Sequence, residues 1–167
     1  MNLRLGQIEF KPGEKVLIYG IGNVGRQDDG LGIRLVEKLE KKLAGTGLSG
    51  MLTLESNYQL SIEDALFISD FDVVLFADAS REANSISPFS LRQVHPSTEL
   101  AFTTHAMSVS SILSLCDELY DRKPRTFLIA VPGYEWGIAE HLSLQAGLNL
   151  DQAFDSLAAM LEEASNA

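Results

Sequence analysis

Residues Val16–Gly32, VLIYGIGNVGRQDDGLG, constrain the fold of this chain more than any other stretch. Val16–Tyr19 is an apolar run of the length and composition of a buried strand. Three glycines, Gly20, Gly22 and Gly25, follow it, then two adjacent carboxylates, Asp28 and Asp29. From Leu31 the apolar positions Leu31, Leu35, Val36, Leu39 and Leu43 recur at helical spacing, and Gly45-Thr46-Gly47 ends the helix. A buried strand turning through glycines into an amphipathic helix is the start of an α/β unit.

The rest of the chain continues in the same alternation. Met51–Leu54 is a short strand ending at Glu55, and Ser61 with Asp64 opens a helix whose apolar face is Ala65, Leu66 and Ile68. Asp72–Ala77, DVVLFA, is the most strand-like run, and Asp78 terminates it. Pro88–Val94 alternates as an edge strand does. Thr103-Thr104 caps a helix from His105 to about Tyr120, with Met107, Val109, Ile112, Leu113 and Leu115 largely inward. Thr126–Val131 is the last strand, followed by the loop Pro132–Gly137 with two aromatics. Ser143 opens a final helix with Leu148, Phe154, Leu157 and Leu161 toward the core. The order β-α-β-α-β-β-α-β-α predicts a three-layer α/β/α sandwich around a mostly parallel sheet of about five strands. The length of 167 residues suggests one domain, with residues 1–14 as an N-terminal extension, read as an edge hairpin.

Charge and composition narrow the function. The formal net charge of −10, from 13 Lys and Arg against 23 Asp and Glu, repels phosphate backbones and argues against a nucleic-acid partner. No apolar run reaches the ~20 residues of a membrane span, and residues 1–15 lack the apolar stretch of a secretory signal. The single cysteine, Cys116, forms no internal disulfide and points to the cytoplasm. It lies on the inner side of a helical pattern and is read as packing. Neither a GxSxG elbow nor a CxxC pair is present, so serine-nucleophile and thiol-redox chemistry have no support.

Two readings compete for the glycine loop. Gly20-x-Gly22-x-x-Gly25 after a strand, with Glu55 ending the second strand, matches a dinucleotide fingerprint. Asp28 and Asp29 oppose it, because they occupy the helix N-terminus where a pyrophosphate would need bare N–H groups. Capping the helix requires one of these acids, and the second is either another cap or a ligand. Asp78 tilts this choice. It ends the strongest strand on the sheet edge where ligands gather in open α/β sheets. His105, read in the first turn of a helix, is either a surface residue or, kept neutral there by the dipole, a metal ligand. Asp29, Asp78 and His105 thus form a plausible set for a borderline divalent metal. His95 and His141 read as surface loop residues.

Together Gly20-Ile21-Gly22-Asn23 through Asp28-Asp29-Gly30-Leu31-Gly32, Phe76-Ala77-Asp78-Ala79, and Thr104-His105 opening a helix resemble the nickel–iron hydrogenase maturation endopeptidases, the HybD/HycI-like family. The similarity runs from about Val16 to the last helix. It implies a three-layer α/β/α sandwich with a twisted, mixed five-stranded sheet. It also implies a nickel-recognising protease that removes the C-terminal extension of the hydrogenase large-subunit precursor after nickel insertion. The metal positions of that family fall on Asp29, Asp78 and His105, with Asp29 also the candidate catalytic residue. Nickel would arrive within the substrate, with other divalent metals able to stand in for it, and the enzyme would be a monomer or a weak homo-oligomer. Cleavage then follows one of two routes: the metal polarises the carbonyl or activates water, or Asp29 acts as general base with the metal as a docking mark. Three departures stand out. Asp29 occupies a position where some relatives carry Glu, Glu55-Ser56-Asn57 replaces a frequent Asp-Gly-Gly and leaves Glu55 a possible extra site acid, and the N-terminal extension is unusual. The alternative from another class is a non-enzymatic, Rossmann-like nucleotide- or metal-binding module.

Overall fold

A computed structural model describes residues 4–82, 86–97, 102–103 and 106–166. Its elements run β1 (Val16–Ile21), α1 (Leu31–Leu43), β2 (Leu52–Asn57), α2 (Glu63–Ile68), β3 (Val73–Ser80), β4 (Ser90–Val94), β5 (Phe102–Thr103), β6 (Ala106–Met107), α3 (Val109–Tyr120), β7 (Arg125–Pro132) and α4 (Leu144–Ser165). The described residues build a five-stranded sheet in the order β2-β1-β3-β7-β4. β2, β1, β3 and β7 are mutually parallel, and β4 closes one edge antiparallel to β7. This is the expected mixed, mostly parallel sheet in an α/β fold.

Period-two alternation in the central strands divides the core into two layers. Val16 and Ile18 of β1, with Val73, Leu75 and Ala77 of β3, pack against Leu31, Leu35 and Leu39 of α1 and Leu157 and Leu161 of α4. Leu17, Tyr19, Val74 and Phe76 pack on the other face with Ala65 and Ile68 of α2 and Ile112, Leu113 and Cys116 of α3. Each fully buried aliphatic side chain is worth about 1.5–3 kcal/mol. That outweighs the roughly 1 kcal/mol lost by having Gly20 inside β1. Gly20 serves a packing need: a Cβ there would lie 2.5 Å from the Gly32 carbonyl oxygen. A Cβ on Gly32 would in turn lie 2.2 Å from the Ala77 carbonyl oxygen. The pair lets the start of α1 lie directly on β1 and β3.

Several expectations are corrected. β3 does not stop before Asp78 but carries on through Ser80, pairing Asp78 with Ala130 of β7. The helix expected from His105 starts at Val109, capped by Ser108, whose hydroxyl accepts the Ser111 N–H at 3.1 Å. Phe102–Thr103 and Ala106–Met107 pair as a short antiparallel ribbon instead. Sequence could not show this, because threonines cap helices and favour strands alike. Among the described residues, 4–14 form no hairpin. Leu5–Gln7 forms a 3-10 turn that sinks Leu5 and Ile8 into the α1/α4 core. Leu66 and Leu148 point outward, 55% and 51% exposed, so the apolar faces of α2 and α4 are narrower than their leucines suggest.

Candidate functional site at the junction of β1 and β3

The sheet order places β2 to one side of β1 and β3 to the other, so the chain reverses direction across the sheet between β1 and β3. Open α/β sheets leave a crevice at the carboxyl ends of such strands. Here it is a cleft of about 610 Å3 lined by Gly22 and Asp29 after β1, Asp78 of β3, Arg92 of β4, Tyr58 after β2, and Ser108 before α3.

Asp29 reaches the cleft because the loop before it is rigidly folded. The Asn23 side chain accepts the Gly25 N–H at 2.9 Å and donates to the Tyr58 hydroxyl. The Asn23 N–H donates to the Asp29 carbonyl at 3.1 Å, and the Asp29 N–H donates to the Arg26 carbonyl at 3.1 Å. Gln27–Gly30 forms a 3-10 turn, and α1 starts behind it without a side-chain cap. Neither aspartate therefore caps α1. The Asp29 carboxylate is half-buried and has no hydrogen-bond partner among the described residues.

Asp28 has a different task. Its side chain is fully buried and accepts the N–H groups of Tyr134 at 2.7 Å, Glu135 at 2.9 Å and Ser143 at 2.8 Å. The Ser143 hydroxyl adds a fourth bond at 2.6 Å. Burial alone would raise its pKa, but these bonds together outweigh burial and hold it below the ordinary carboxylate value. Asp28 is a staple for the loop between β7 and α4. Gly133 allows the close approach, since a Cβ there would lie 2.6 Å from the Asp28 Cβ.

The glycines also receive a new explanation. Gly22 has φ +143, and a Cβ on it would lie 2.0 Å from the Asp29 carbonyl oxygen. What approaches the backbone here is the chain itself, not a ligand. The space a pyrophosphate would use beside Gly22 is filled by the Asp29 peptide, so the loop geometry gives the dinucleotide reading no support.

Asp78 lies on the α3 side of β3, one step from the buried Phe76 on that face. Burial pushes its pKa up to about 7 and the nearby Asp29 charge adds to this, against one stabilising bond from the Ala79 N–H at 2.8 Å. The structure thus brings two of the three expected site residues, Asp29 and Asp78, into one cleft. His105 lies outside the described residues. Glu55 is exposed, accepts the Ser56 N–H at 3.0 Å, and does not line the cleft. Among the described residues no three His, Cys, Asp or Glu side chains are grouped to hold a metal ion. Sequence reading missed Arg92 and Tyr58. Only the strand pairing brings them to the crevice, and no local pattern marks them.

No family model matches this sequence. No curated protein matches it either. Solved structures do. The hydrogenase maturation protease HycI from Thermococcus kodakarensis superposes with a TM-score of 0.70 at 23% identity, over 90% of this chain and 95% of that one. The hydrogenase maturating endopeptidase HybD from E. coli gives a TM-score of 0.71 at 18% identity, over 90% and 93%. The hydrogenase 2 maturation peptidase from Thaumarchaeota archaeon SCGC_AB-539-E09 gives 0.62 at 19% identity, over 89% and 98%. This chain has the fold of the hydrogenase maturation proteases. The likeness extends over nearly the whole length of each neighbour.

Proposed function

We propose that this protein is an endopeptidase of nickel–iron hydrogenase maturation, removing the C-terminal extension of the large-subunit precursor after nickel insertion. The observation that carries the reading is the convergence of Asp29 and Asp78 in the cleft between β1 and β3, on the fold shared with those proteases. Two carboxylates are suitable oxygen donors for a divalent cation, but two donors do not complete a coordination shell. A metal held there needs ligands from elsewhere. That requirement suits nickel that arrives already bound to the substrate. His105 is the proposed third donor from this chain.

In this reading Asp29 and Asp78 dock the nickel-loaded precursor so that its scissile bond lies along the cleft. Asp29, with no hydrogen bond to its carboxylate among the described residues, is the residue available to take a proton from an attacking water. Burial favours the protonated form of Asp78, its pKa pushed up to about 7, and the carboxyl must give up that proton to bind the cation. No helix among the described residues is long and apolar enough to cross a membrane. The proposed place of work is the cytoplasm.

Incubation with a nickel-loaded large-subunit precursor tests the proposal directly. The wild-type protein shortens the precursor at its C-terminus, and Asp29→Asn remains folded but leaves the precursor intact. Failure of the wild-type protein to shorten it overturns the proposal, and undiminished cleavage by Asp29→Asn removes that residue from the chemistry.

A further inference from the structure

Arg92 is the one cation among the described residues lining the cleft. It lies on β4 opposite Leu128 of β7, on the face turned away from the buried Leu91. Among the described residues, three of the other six arginines have carboxylate partners, Arg34 with Glu37, Arg122 with Asp72 and Arg125 with Glu14, while Arg26 and Arg81 lie against Trp136. Arg92 has neither an ion pair nor a hydrogen bond among the described residues.

A charged residue on an edge strand commonly serves to discourage strand pairing between molecules. That role explains a charge on β4 but not its position over the sheet face, inside a crevice that also holds Asp29 and Asp78. An anionic segment entering this crevice meets the carboxylate of Asp29 and a net charge of −10. A guanidinium with no partner among the described residues offsets that repulsion locally and presents a planar fork of donors matched to a carboxylate.

We propose that Arg92 is a specificity-determining residue that binds a carboxylate of the peptide substrate. This rests on the peptidase reading for the nature of the ligand, a polypeptide, and deepens it by stating which chemistry the segment must carry. The carboxylate is either an Asp or Glu side chain or the free C-terminus of the segment.

Affinity selection on the immobilised full chain tests this without depending on cleavage. The probe is a mixture of octapeptides in which one position at a time varies among Asp, Glu, Asn, Gln and Lys, made both as C-terminal acids and as amides. The wild-type protein enriches carboxylate-bearing peptides about tenfold over their neutral counterparts, the scale of a charge-assisted hydrogen bond. Arg92→Gln loses the enrichment, and Arg92→Glu turns it toward Lys. Enrichment that survives amidation assigns a side-chain carboxylate; enrichment lost on amidation assigns the C-terminus. A wild-type protein with no preference for carboxylates, or an Arg92→Glu variant that retains one, overturns the proposal. Precursor cleavage run in parallel separates the two readings. Absent cleavage with intact charge selection refutes the peptidase assignment alone, and the reverse pattern refutes only the role of Arg92.

Discussion

Asp28 and Ser143 are joined twice, the Ser143 N–H to one carboxylate oxygen at 2.8 Å and the Ser143 hydroxyl to the other at 2.6 Å. Ser143 is also the N-cap of α4, accepting the Ala146 N–H at 3.4 Å. One buried acid thus fixes both the β7–α4 loop and the start of the longest helix. Asp28→Asn replaces one accepting oxygen by an NH2 group facing N–H donors, so at least one buried donor loses its partner. The expected cost is about 2–4 kcal/mol. Urea unfolding at neutral pH measures it, and a loss below about 0.5 kcal/mol would show that the loop is held by other contacts.

The fold explains why adjacent aspartates diverge so far. Asp28 turns inward to partners more than a hundred residues away, while Asp29 turns to the cleft. Asp28→Asn should therefore impair stability and Asp29→Asn precursor processing. The comparison is made at a temperature where both variants are folded, by circular dichroism and a cleavage assay. Equal processing defects in two well-folded variants would contradict this division.

Gly22 and Gly45 both have positive φ, +143 and +76, but only Gly22 is crowded: a Cβ there meets the Asp29 carbonyl oxygen at 2.0 Å, and at Gly45 nothing lies within 4 Å. Backbone strain alone costs roughly 1 kcal/mol. Gly45→Ala should lose about that much, and Gly22→Ala about 3 kcal/mol or more, because the backbone carrying Asp29 must move. Thermal unfolding of the two variants distinguishes them, and similar melting temperatures would refute the steric account.

These contrasts mark what the sequence made legible. The β1–loop–α1 unit, the edge position of β4 and the Ser143 cap follow from local periodicity and turn chemistry, which act over a few residues. The position of Asp78 near the carboxyl end of its strand is legible in the same way, although β3 extends two residues beyond it. The separate fates of Asp28 and Asp29 were not legible, because Asp28's partners lie at residues 134–143 and only the tertiary fold brings them near. Arg92 joins the cleft through the antiparallel pairing of β4 with β7, a register that no local pattern specifies. The glycines misled for a related reason: close approach of backbone reads the same in sequence whether the approaching group is a ligand or the chain itself.

Tyr19, buried at the base of the α2/α3 layer, donates its hydroxyl to the Asp64 carboxylate at 2.7 Å. Burial, then the bond to Asp64 and its charge, push the phenol well above its ordinary value. A group whose folded pKa is raised contributes stability that is complete below the unfolded value, near 10, and is lost as pH rises toward the folded one. The native protein should lose stability steeply above about pH 10. Tyr19→Phe should cost about 1–2 kcal/mol at neutral pH, since one Asp64 oxygen loses its partner while the other keeps the Ser61 N–H at 2.8 Å. It should also flatten the alkaline loss. Denaturant midpoints at neutral and alkaline pH test both points, and parallel pH slopes for the two proteins would rule Tyr19 out as the titrating group.

Asp78 works in the opposite direction to Asp28, because its site destabilises the ionised form. Its folded pKa, raised to about 7 by burial and then by Asp29, exceeds the unfolded carboxyl value. Its protonated form therefore favours folding at low pH, and this contribution is lost as pH rises from about 4 to about 7. Asp78→Asn removes the penalty and should raise stability above neutrality by about 1–3 kcal/mol, a figure reduced from the full shift because the side chain is half-buried. The same substitution deletes a donor for the proposed cation. Below pH 7 the wild-type carboxyl must release its proton to bind, so nickel affinity should fall by up to tenfold per pH unit there and level off above. Calorimetric titration with Ni2+ across this range, beside unfolding of Asp78→Asn, measures both effects. A destabilised variant, or wild-type affinity that does not change between about pH 6 and 8, would show that Asp78 is kept for the fold and not for the ligand.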